Sequence, residues 1–181
     1  MKQSPRRLVF QVAVGKHANS SMYQTLTDQC KDYARRLGVE YLKLEEPLLR
    51  VAPSEKSNRS LESYQEHGGY LPIFEKLNAL DLLSEFDEVA VIDADVYVRS
   101  SSPSIFDQVS PTASLAAVVE RKMPLTRDYA LKIRGYSRAQ FQSLQDVDWL
   151  WNRRGAHFFN LGVMVLRPQI LEDFGVSSAR Q

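Results

Sequence analysis

The chain has 181 residues, 44% hydrophobic and 25% charged, an ordinary composition for a folded domain and a foreign one for disordered, collagenous or fibrous chains. Lys and Arg number 23 against 22 Asp and Glu, and a net charge of +1 supplies no attraction to nucleic acid or to an acidic membrane. A single cysteine, Cys30, excludes an internal disulfide and any cysteine-rich zinc module.

The length predicts one domain over residues 1–181, large enough for a single core. No run of 18 apolar residues occurs, so no membrane span is expected. Met1 to Arg7 is basic, but the apolar stretch behind it is broken by Gln11 and Lys16, unlike a signal peptide. The expected location is therefore cytoplasmic, and the Asn-x-Ser sequons at Asn19 and Asn58 are read as chance.

Leu8 to Val14 is a short, β-branched apolar run ending at Gly15, as a buried strand should be. Ser20 and Ser21 offer an N-cap. Met22, Leu26, Cys30, Tyr33, Ala34 and Leu37 then recur at helical spacing, and Gly38 stops the helix. Val39 to Leu44 reads as a second strand, completing the strand–helix–strand unit of a parallel sheet. Residues 45–70 carry Pro, Ser, Asn and Gly and predict a long loop with one short helix.

A helix follows with Ile73, Phe74, Leu77, Leu80 and Leu83 on its apolar side. Val89 to Ile92 has no polar residue, as expected of a central parallel strand. It ends in Asp93-Ala94-Asp95, and Val96 to Val98 continues as an apolar stretch. Ser114 to Val119 predicts another strand, Arg138 to Leu144 a helix, Phe158 to Leu166 a last strand and Ile170 to Phe174 a short helix. The class is α/β with a mainly parallel sheet flanked by helices.

In open α/β sheets, ligands bind beyond the carboxyl ends of the strands. Asp93 and Asp95 stand at such an end, where two partly desolvated carboxylates repel each other. A bound divalent cation relieves that repulsion, and oxygen ligands suit Mg²⁺ or Mn²⁺. Such a cation would in turn hold a diphosphate. A second Asp-x-Asp, Asp146 to Asp148, follows no apolar strand and reads as a helix end or solvated turn. His17, His67 and His157 are isolated and read as surface or core residues rather than ligands.

Lys76-Leu77, Leu80, Leu82-Leu83, Phe86-Asp87 and Val89 to Val96 resemble the central block of nucleotide-sugar glycosyltransferases of the GT-A fold. Phe158 to Leu166, with its Asn160-Leu161-Gly162-Val163, resembles that family's second signature. The flavour is that of the glycogenin-like and lipopolysaccharide galactosyltransferase-like group, over roughly residues 7 to 168.

The resemblance implies a Rossmann-like GT-A domain and metal-dependent transfer of a sugar from a UDP or GDP sugar to an acceptor hydroxyl, with a lean towards retention. Asp93 and Asp95 would bind Mn²⁺ or Mg²⁺, and Ala94 would line the donor beside them. Lys76 would contact the donor. Ala13, Val14, Gly15 and Lys16 would line the nucleotide base, and Asn160 would face the donor sugar or reacting centre. Each residue also has a plainer role: Lys76 as a solvated charge, Asn160 as a hydrogen-bonded strand residue, Gly162 as a packing glycine. The acceptor class, whether carbohydrate, lipid or protein, is left open.

The family's pattern goes on to a further metal-binding His and an Asp-Gln-type segment, and this chain ends at Gln181 before either, so a fragment, a C-terminally truncated domain or a minimal member is the expectation. Two rival readings follow. One is a degenerate domain that binds nucleotide sugar without efficient turnover. The other is a sugar nucleotidyltransferase, against which the lone glycine of Gly15 to Asn19 counts, since that chemistry wants a Gly-rich phosphate loop.

Overall fold

Strand β1, Arg7–Val12, is buried at four successive positions, Leu8 to Gln11, as a strand is when both of its faces are covered. It pairs in parallel with β2, Glu40–Leu44, and with β3, Glu88–Ile92. The computed structural model describes residues 4–15, 18–51, 64–66, 70–119, 126–129, 131 and 159–180. Its five-stranded open sheet has the order β2-β1-β3-β5-β4, where β4 is Leu115–Val119 and β5 is Phe159–Leu166. β5 runs antiparallel to β3, with Val91 opposite Met164 and Ile92 opposite Val163. The mixed, mainly parallel sheet flanked by helices is thus the expected class.

Helix α1, Ser21–Leu37, starts where Ser20 Oγ accepts from the Tyr23 N–H at 3.4 Å. It stops at Gly38, whose φ of 68° suits a residue without Cβ. Its buried side chains are Thr27, Cys30, Tyr33 and Ala34. Met22, expected on the apolar face, is exposed, because the true stripe runs 23, 27, 30 and 34 and Met22 stands off it. Val9, Ala90, Ile92 and Val165 of the sheet close a core around Cys30, Tyr33, Ala34 and Phe106. Burial pushes the Cys30 thiol up to about 12, which leaves it an inert core side chain.

The helix expected around Ile73 to Leu83 is two elements. Pro72–Leu77 is a 3-10 turn, and α2, Asn78–Leu82, follows. Three residues per turn shift the buried face away from the 3.6-residue reading. Ile73 and Leu77 are exposed, while Glu75, Asn78, Ala79 and Leu83 are buried. The apolar stretch Val96 to Val98 lies outside the sheet. The Val96 N–H donates to the Asp93 carbonyl at 3.0 Å, closing a tight turn that carries the chain off the sheet, and Tyr97 is exposed. β4 starts one residue later than expected and α3, Gln169–Phe174, one earlier; Phe158, the expected first residue of β5, lies outside the described residues. The expected helix at Arg138 to Leu144 lies outside the described residues.

The chain divides into two compact units: Met1–Ala116 with Gly162–Gln181, and Ala117–Leu161. In the first, the amino end of β3 is held by charge. Glu88, buried, accepts from Arg7 Nε at 2.6 Å on one oxygen and from Arg167 Nε at 2.8 Å on the other. Arg167 also donates to the carbonyls of Ser110 and Ala113, each at 2.6 Å. In the second unit, the described residues include Ala117 to Val119 of β4 and Phe159 to Leu161 of β5. Among the described residues no helix is long and apolar enough to cross a membrane.

Candidate active site

From β1 the chain crosses to β2 on one side, and β3 pairs on the other side of β1. That reversal is the switch point of an open α/β sheet, and the crevice beyond the strand ends there is where such sheets take ligands. A cleft of about 310 Å³ occupies the place. Val12, Ala13 and Val14 line it from the end of β1, and Asp93, Ala94 and Asp95 from the end of β3. Pro72, Ile73 and Lys76 line it from the 3-10 turn, and Tyr23 from the first turn of α1.

The end of β3 is fixed through its backbone. The Asp93 N–H donates to the Gly162 carbonyl at 2.8 Å, and the Asp93 carbonyl accepts from Gln11 Nε2 at 3.2 Å. Gln11 is fully buried in the middle of β1, and its Oε1 accepts from the Tyr41 hydroxyl at 2.8 Å. A buried amide satisfied at both ends is a rigid bridge from β2 across β1 to β3. Gln11→Leu leaves the Tyr41 hydroxyl and the Asp93 carbonyl without this partner. The expected loss is about 1–3 kcal/mol of stability, read by urea denaturation.

Lys76 Nζ lies 2.6 Å from Asp93 Oδ1, both side chains largely covered. Burial holds the Asp93 carboxyl above its ordinary value; Lys76 pulls it down by hydrogen bond and charge, and Asp95 pushes it up. One ammonium therefore does not fully compensate the buried carboxylate. The Tyr23 hydroxyl is raised by burial and then by the charges of Asp95 and Asp93, so it stays protonated and can donate. Two hard-oxygen carboxylates facing a cleft fit a Mg²⁺-like ion, which takes one or two protein carboxylates and fills its shell with water and phosphate oxygens. No group of three or more His, Cys, Asp or Glu side chains suited to a metal occurs among the described residues.

Of the residues singled out from the sequence, the cleft brings together Ala13, Val14, Lys76, Asp93, Ala94 and Asp95. Gly15 follows them with a φ of 94° and is not among the lining residues. Asn160 is half-buried in β5, within the second unit. Lys16, His17, His67, Asp146, Asp148 and His157 lie outside the described residues. The sequence reading missed Tyr23 and Gln11. The signal for Tyr23 was its place four residues before Thr27, on the stripe that turns inward. The signal for Gln11 was one polar residue in an apolar run, which demands partners if buried.

No protein-family model matches the chain, and no curated protein matches it. Among solved structures it is similar to the crystal structure of a glycosyltransferase involved in the glycosylation of the major capsid of PBCV-1. The TM-score is 0.50 and the identity 13%, over 93% of this chain and 63% of that one. The likeness is one of fold, and the chain spans less than two thirds of that neighbour's length.

Proposed function

We propose that the chain is a glycosyltransferase that moves a sugar from a nucleoside-diphosphate donor of UDP or GDP type to an acceptor hydroxyl. The observation that carries this reading is the meeting of Asp93, Asp95 and Lys76 in one cleft at the switch point of the sheet. The fold likeness to a glycosyltransferase supports it.

In this reading the donor diphosphate sits at the mouth of β3, and the apolar wall of Val12, Ala13 and Val14 receives the nucleoside. Asp93 and Asp95 would hold Mn²⁺ or Mg²⁺, which when bound neutralises charge on the leaving diphosphate. Lys76 brings a fixed positive charge to the same leaving group as the bond between the anomeric carbon and the diphosphate oxygen breaks. That bond's electron pair leaves with the diphosphate, the anomeric carbon passes through an oxocarbenium-like state, and the acceptor hydroxyl oxygen bonds to it while its proton passes to the departing diphosphate oxygen. Tyr23, protonated, offers a hydrogen bond at the cleft wall. Retention is part of the proposal, and it does not require a carboxylate base on the acceptor.

Release of UDP or GDP from the matching nucleotide hexose, followed with and without Mn²⁺, tests the activity. No release from any nucleotide sugar, with binding retained, would favour a binding domain without turnover. Lys76→Ala is expected to weaken donor binding by about 1–3 kcal/mol, the range for a charge-assisted hydrogen bond. Titration calorimetry showing unchanged affinity would return Lys76 to a solely structural role.

A further inference from the structure

The 3-10 turn that supplies Lys76 has an unusual interior. With three residues per turn, side chains at i and i+3 eclipse. Ile73 and Lys76 therefore share one face, and both line the cleft. Glu75 and Asn78 share another, and both are buried, Glu75 to 1% exposure. The Glu75 carboxylate accepts from the N–H groups of Leu48 at 2.9 Å, Leu49 at 2.9 Å and Arg50 at 3.0 Å, and from Asn78 Nδ2 at 2.9 Å. Three successive backbone N–H groups converging on an anion form a nest. Arg50 adopts a φ of 48°, an uncommon angle for a residue with a Cβ, in making it. The segment after β2 is thus wrapped around a carboxylate one residue from the lysine that meets Asp93.

From this arrangement we infer that Glu75 is a positioning residue: its nest locks the rotation of the 3-10 turn and so holds Lys76 against Asp93 in the cleft. The functional weight of that placement rests on the donor-site reading above. Among the described residues, each of these contacts of the Glu75 carboxylate is with a donor, so an amide in its place would turn an NH₂ group towards N–H groups. Glu75→Gln keeps the size of the side chain and breaks the nest. The turn is then free to rotate, and Lys76 leaves Asp93 without itself being changed.

The test has a ligand-free arm and a ligand arm. In the first, the Lys76 ammonium resonance of the full chain, assigned by its loss in Lys76→Arg, is followed by ¹H–¹⁵N NMR at a temperature where every variant is folded. Glu75→Gln is expected to shift or broaden that signal; an unmoved signal overturns the inference. In the second, UDP affinity in Mn²⁺ is measured for Lys76→Ala, Glu75→Gln and the double variant. A residue acting through Lys76 gives non-additive losses, with the double variant no weaker than Lys76→Ala alone. Additive losses overturn the inference. Should Glu75→Gln fail to fold, Asn78→Ala, which removes one donor from the carboxylate, takes its place in both arms under the same criteria. A wild type that binds no UDP or GDP overturns the donor reading and leaves the ligand-free arm to decide on Glu75.

Discussion

UDP or GDP is expected to raise the melting temperature of the wild-type chain in Mn²⁺ or Mg²⁺ and not in EDTA, and Asp95→Ala is expected to abolish the rise. At a nucleotide concentration about 100 times Kd, binding to the folded state alone is worth about 2.7 kcal/mol. For a chain of this size that is about 5–10 °C. The cation dependence follows from charge: the cleft presents two carboxylates against one lysine, and a diphosphate brings more negative charge to the same place. Asp95→Ala is the decisive variant because Asp95 is exposed, so its removal leaves the fold alone. Asp93→Ala also removes the partner of Lys76 at 2.6 Å and therefore lowers stability as well as binding. Asp148→Ala leaves the rise intact if the carboxylates of the cleft are the ones that matter. Equal loss at Asp95 and Asp148 would sink the assignment, as would a nucleotide effect that survives EDTA.

The second large effect is on stability, at the other end of the same strand. Glu88→Ala is expected to destabilise the chain by about 3 kcal/mol, near the lower end for breaking a buried ion pair because Arg7 is partly exposed. The variant leaves the guanidinium groups of Arg7 and Arg167 facing each other without the carboxylate that joins them, at 2.6 Å to each. Arg7 keeps Asp107 at 3.4 Å, and Arg167 keeps its two carbonyl partners, so neither side chain is wholly abandoned. Glu88→Gln retains an acceptor for one arginine and should lose about half as much. Five residues of strand, roughly 16 Å, separate Glu88 from Asp93. The nucleotide-dependent rise in melting temperature should therefore persist in Glu88→Ala from its lower baseline. A variant as stable as wild type in urea denaturation would mean that desolvation cancels the triad's attraction.

The sequence by itself determined the class of sheet, the strand that ends in Asp93 and the cap at Gly38, because these rest on local causes. An apolar run of four residues between polar flanks has few ways to be satisfied outside a buried strand. A glycine after a helical stripe marks a left-handed stop. The pairing of Asp93 with Asp95 was legible because both lie on one short turn at a strand end. What lies across the cleft was not. Lys76 was visible as a resemblance, but its rotation towards Asp93 depends on a 3-10 turn, and periodicity read at 3.6 residues placed Ile73 and Leu77 inside when both are exposed.

Tertiary structure alone decided the roles of Gln11, Glu75 and Glu88. Each is a polar side chain buried by long-range pairing: Gln11 with Tyr41 and the Asp93 carbonyl, Glu75 with the amides of 48–50, Glu88 with Arg7 and Arg167. Sequence spacing carries no mark of partners about 25 to 80 residues away. Burying a polar group is costly unless its hydrogen bonds are met, and only the folded chain shows where the partners come from. The same holds for Tyr23, which stands at the start of the buried stripe of α1 and comes to line the cleft with the carboxylates only because α1 begins beside the ends of β1 and β3.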